Sequence, residues 1–192
     1  MTYVDIGILP RGPLESGRAY DNINHYFGWL GRAASASRGE AQDSRSSPDL
    51  SPLEKRLRFV QDAISKVSMH LPPGFAVGLN RQFANMMDDD AWEDADDLVS
   101  PDALTAFIQT VIHTRTKRRP GIGTNGRGSV TASWSVGDNR LIIECLPSGK
   151  VSMVMSRRLD NGEIERAAFD GTPPEQVRNR LTSYHPEVWF DC

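Results

Sequence analysis

Leu53, Leu57, Val60, Ile64, Val67 and Leu71 recur at spacings of three and four, which places them on one face of a helix. Ser51-Pro52-Leu53-Glu54 opens that run with a capping serine, a proline at the first helical position and a glutamate three residues past the cap. Pro72-Pro73-Gly74 ends it. A second helix is predicted from Ser100-Pro101, with Leu104, Phe107, Ile108, Val111 and Ile112 on its apolar side. Its last turn is expected to carry Arg115, Lys117, Arg118 and Arg119 before Pro120, where the helix dipole favours cations.

From residue 128 the apolar period shortens to two, the repeat of a half-buried strand. Val130, Ala132, Trp134 and Val136 alternate with Thr131, Ser133 and Ser135, and Gly137-Asp138 separates them from a second run over 139–146. Pro147-Ser148-Gly149 leads to Val151, Met153 and Met155, alternating with Ser152 and Ser156. Asp160-Asn161-Gly162 then leads into 163–169, the glycine suiting the positive φ of a tight turn. Thr172-Pro173-Pro174-Glu175 has the form of another capping box, opening a short helix with Val177, Leu181 and Tyr184 on one side until His185-Pro186. The fold class expected is α+β: N-terminal helices followed by a four-stranded antiparallel meander, with helices packed on one face.

Residues 33–51 are crowded with Ser, Asp and Arg and hold Leu50 as their one bulky apolar residue, too little to offset the entropy of ordering. They are expected to be a disordered linker between an arm, 1–32, and an α+β domain, 52–192. The arm carries Tyr3, Tyr20, Tyr26, Phe27 and Trp29, of which Tyr20, Ile23, Phe27 and Leu30 suggest a partly helical stripe that docks on the protein's own core or on a partner.

The 192 residues suffice for one compact domain with appendages, and 39% hydrophobic residues suffice for a core. A formal net charge of −3 and a pI near 5.8 supply no global positive field for nucleic acid or an anionic membrane. Two cysteines give no disulfide framework, no basic leader precedes an apolar run, and no stretch approaches membrane-spanning length. A soluble, cytoplasmic protein is expected.

Candidate chemistry is sparse. Gly121-Ile122-Gly123-Thr124-Asn125-Gly126 matches the dinucleotide-binding spacing, but a predicted helix precedes it and a strand follows, the reverse of what the pyrophosphate site requires. The glycines are therefore expected to be a flexible connection into the sheet, and no cofactor is anticipated. His25, His70, His113 and His185 stand apart without partners at ligand spacing, so no metal site is anticipated either. Of these, His113 is expected to complement a helix dipole. Cys145 alternates in phase with Leu141 and Ile143, the pattern of a buried, inert thiol.

Residues 88–97 stand out, with Asp88, Asp89, Asp90, Glu93, Asp94, Asp96 and Asp97 around Trp92. So many carboxylates repel one another and stay in water. The segment serves either as a solvated approach to the next helix or as a partner-binding strip, with Trp92 the anchor and the carboxylates facing a basic surface. A calcium loop is disfavoured, because the glycine its pattern needs is missing. The basic patch Arg115, Lys117, Arg118 and Arg119 lacks interleaved aromatics for base stacking and suits a solvated helix end or an internal partner for the strip.

Trp92-Glu93-Asp94-Ala95, the helix from Pro101, Arg119-Pro120-Gly121-Ile122, the run from Gly128 to Trp134 and Phe169-Asp170-Gly171 together resemble a pattern in uncharacterised small bacterial proteins. Those are accessory or antitoxin-like partners encoded beside toxin and defence genes, and the likeness spans 83–190. It brings no catalytic residue. It implies a non-enzymatic interaction protein that binds and neutralises another protein, a toxin or a nucleic-acid-binding protein, by masking a basic functional surface. Two alternatives stand beside it: an enzyme whose site is assembled from Asp170, His185 or the acidic strip, and a DNA-binding regulator using the basic patch, disfavoured by the net charge.

Overall fold

The computed structural model describes residues 50–88, 92 and 97–191. The arm 1–32 and linker residues 33–49 lie outside the described residues.

The Ser51 signal forms a complete capping box, with Ser51 Oγ accepting from the Glu54 amide at 3.1 Å and Glu54 Oε2 accepting from the Ser51 amide at 2.8 Å. Helix α1, Pro52–Val67, follows and buries Val60, Ala63, Ile64 and Val67, and a 3₁₀ turn, Ser68–His70, completes the predicted stretch. Helix α2, Phe75–Met86, was not foreseen, because Gly78, Asn80 and Asn85 weaken its intrinsic propensity. Tertiary burial of Phe75, Leu79 and Phe83, one turn apart, holds it instead.

Helix α3, Pro101–Thr114, is capped by Ser100, whose Oγ accepts from the Ala103 amide at 3.0 Å. It ends before the basic run expected in its last turn. Thr114 donates to Thr110 O at 2.7 Å, and Arg115 takes a left-handed conformation with φ 52°. The Lys117 amide then donates to Phe190 O at 2.7 Å, which turns the chain toward its C-terminal end and away from the helix axis.

The sheet has five antiparallel strands in sequence order: β1 Gly121–Thr124, β2 Val130–Val136, β3 Asn139–Cys145, β4 Val151–Arg158 and β5 Ile164–Thr172. Four had been expected. The additional strand, β1, is the glycine run taken for a connection. Its glycines favour no strand intrinsically, and the ladder to β2 supplies the order, with Gly121 opposite Ser133 and Thr124 opposite Val130.

Alternation assigned the buried face correctly. Val130, Ala132, Trp134, Leu141, Ile143, Cys145, Val151, Met153 and Met155 are all buried, and α3 packs over β2 and β3. The Thr172 capping box does not form, because Thr172 is drawn into β5 and is no longer free to cap. A 3₁₀ turn, Pro174–Gln176, and the short helix α4, Val177–Arg180, follow, and Val177 and Leu181 are buried as predicted. Beyond His185, helix α5, Glu187–Phe190, buries Trp189 and Phe190, and Phe190 meets Trp134 edge to face at 5.2 Å.

Candidate protein-interaction surface

The acidic segment joins the folded body at two places. Trp92 is half-buried against the core, and its indole N–H donates to Met86 O at 2.8 Å. Five residues on, the Asp97 amide donates to Gly126 O at 2.9 Å and the Ser100 amide to Gly128 O at 2.8 Å. Gly128 permits that approach: its φ is +77°, and a Cβ there would lie 3.4 Å from Leu98 O. Asp88 and Asp97 are exposed, whereas Asp89, Asp90, Glu93 and Asp94 lie outside the described residues. The indole envisaged as a partner's anchor is thus engaged with the protein's own core.

From the Gly126 turn a chain of hydrogen bonds crosses one end of the sheet. Asn125 Nδ2 donates to Glu144 Oε1 at 2.7 Å and Ser129 Oγ donates to the same oxygen at 2.8 Å. Glu144 stands opposite Ser152, whose hydroxyl donates to Asp170 Oδ1. That bond, and then the Gly171 amide, hold the Asp170 carboxyl below the usual carboxylate range, so it remains ionised. Glu144 and Asp170 thus stand near each other on the sheet, and Asp97 is held beside the Gly126 turn.

The basic run, by contrast, is scattered. Arg115 and Lys117 line a polar cleft of about 610 Å³ with His113, Glu175, Arg178, Asn179 and Asp191. Within it Arg178 donates to Thr114 O, covering a terminal carbonyl of α3, and approaches Asp191 Oδ2 at 3.3 Å. Arg118 is half-buried, and its carbonyl accepts from Trp134 Nε1 at 2.9 Å. Arg119 lies against α2 at Gly78. No single basic face results.

Burial holds the His113 imidazole below its ordinary range, against Glu175, which raises it, so a neutral ring faces the cleft and adds little charge to the helix end. Burial likewise pushes the Cys145 thiol up to about 12, the inert state that alternation implied. Asp170 borders the outer face of the sheet, while His185 stands at the left-handed corner before α5 with Nδ1 3.0 Å from Glu187 Oε1. The two have different partners on different elements. The matched glycine spacing forms β1 and a turn, and strand β2 stands where a nucleotide site would need a helix.

Comparison with known protein families, curated proteins and solved structures finds no match to this chain. Among the described residues no helix is long and apolar enough to cross a membrane.

Proposed function

We propose that this chain is a non-enzymatic binding protein, antitoxin-like or inhibitor-like, that neutralises another protein by covering a basic functional surface with its acidic segment. The reading is supported by one observation above the rest: the segment is tied to the folded body at Trp92 and again at Asp97. Two fixed points five residues apart in sequence lower the ordering cost that a free acidic tail would carry into a complex. Glu144 and Asp170 extend the same sign of charge along the sheet. Carboxylates so arranged steer a basic partner during encounter and disfavour acidic ones.

The experiment is purification of the full chain from its native host under gentle conditions, with identification of what co-elutes. A stoichiometric protein with a basic functional surface, released by salt, is the expected result. An isolated protein that turns over a substrate unaided contradicts the proposal.

A further inference from the structure

The helices cover one face of the sheet; the other carries three rows of side chains that the strand register defines. Ile142, Val154 and Ala168 stand abreast on β3, β4 and β5. This middle row is apolar and open to solvent, with Ile142 46% and Val154 57% exposed, and it borders a shallow depression of about 310 Å³. Two residues along the strands in one direction stand Glu144 and Ser152, with Asp170 beside Ser152 through their hydrogen bond at the irregularity in the β4–β5 ladder. Two residues the other way stand Arg140, Ser156 and Arg166. Each outer row thus reads charge, serine, charge, with opposite signs, at about 7 Å on either side of the apolar row.

A two-fold axis lying along the apolar row, between two copies facing each other, exchanges the outer rows. Glu144 then meets Arg140 of the second copy, Asp170 meets Arg166, Ser152 meets Ser156, and Val154 meets itself. Isologous pairing requires this kind of self-complementarity, and a face evolved only to stay in water has no need of it. Exposed Ile and Val abreast on a sheet also gain by being covered. We infer that the outer face of β3, β4 and β5 is the contact surface for a second copy of this chain, giving a face-to-face homodimer. The patch is small for a permanent interface, so the dimer is reversible and in the micromolar class. This inference does not rest on the function proposed for the acidic segment, although Glu144 and Asp170, which extend that segment's charge along the sheet, stand in one of its contact rows.

Sedimentation equilibrium on the full chain from about 1 to 200 μM tests it. The expected result is a concentration-dependent rise from 21.3 kDa toward twice that mass. Val154→Lys brings two cations together on the axis and should leave a monomer that unfolds as the wild type does at concentrations where the wild type is itself monomeric. Arg166→Asp and Asp170→Arg singly set like charges opposite each other and should each weaken dimerisation at least tenfold, whereas the two together in one chain should restore it to within about threefold. Neutralising Asp88, Asp89 and Asp90 should leave the dimer intact. A monomer at every concentration, leaving the face to a different protein or to residues 1–49, overturns the inference. So does a dimer insensitive to Val154→Lys, or a double variant no better than the singles.

Discussion

The guanidinium of Arg119 is seated over Gly78 of α2, so close that a Cβ built on the glycine would come within 1.7 Å of Nη1. The arginine expected at the end of α3 is therefore bound up with a neighbouring helix. Gly78→Ala should gain up to about 1 kcal/mol of helix propensity yet displace Arg119, so the single variant gains less than that or loses. In an Arg119→Ala background the same change should give its full gain. A double-mutant cycle by urea denaturation reads the coupling, and strict additivity would contradict the contact.

Trp134 fills the centre of the core, against Phe190, with its N–H on Arg118 O. Trp134→Ala should cost about 3 to 5 kcal/mol, whereas Ser133→Ala on the opposite face should be nearly silent. Chemical denaturation of both variants checks this.

Arg178 ties the end of α3 to the C-terminal segment. Arg178→Ala should cost about 1 to 2 kcal/mol, because the Thr114 carbonyl loses a charged donor. Asp191→Asn should cost much less, since this ion pair is partly exposed and weak. Equal losses in thermal unfolding would show that the pair, and not the carbonyl cap, carries the stabilisation.

Cys145 titrates at about 12 in the fold against an ordinary 9.0. A raised thiol pKa means the unfolded chain releases its proton first. The associated stability is complete below pH 9 and is lost as pH rises from there toward 12. The wild type should therefore weaken more steeply over that window than Cys145→Val. At neutral pH a thiol reagent should leave Cys145 unmodified until the protein is unfolded, as peptide mass analysis would show.

The elements legible in the sequence were those whose local signals agreed with their burial. The Ser51 box, the Ser100 cap and the alternation through Trp134 each pointed to one structure, and each formed. The elements missed are held by contacts far along the chain. α2 depends on Phe83 meeting Phe107, β1 on its ladder to β2, and α5 on Phe190 meeting Trp134. The spacing Phe75, Leu79, Phe83 was the available sign of α2 and was masked by Gly78 and the asparagines. Thr172 shows the opposite error: a cap signal is overridden when the strand ahead extends through it. For the candidate surface, the composition of 88–97 was legible, but the place of Trp92 was not, since Met86 O is provided by the missed helix. The scattering of the basic run followed from one left-handed residue, Arg115, where an arginine gives no sequence cue.

The most direct measurement of the central claim is the salt dependence of complex formation by stopped-flow, using the partner recovered with the wild-type chain. Asp88, Asp89 and Asp90 changed together to Asn should slow association at low salt and flatten its dependence on ionic strength, with thermal stability nearly unchanged. Unaltered association kinetics in that triple variant would contradict the account.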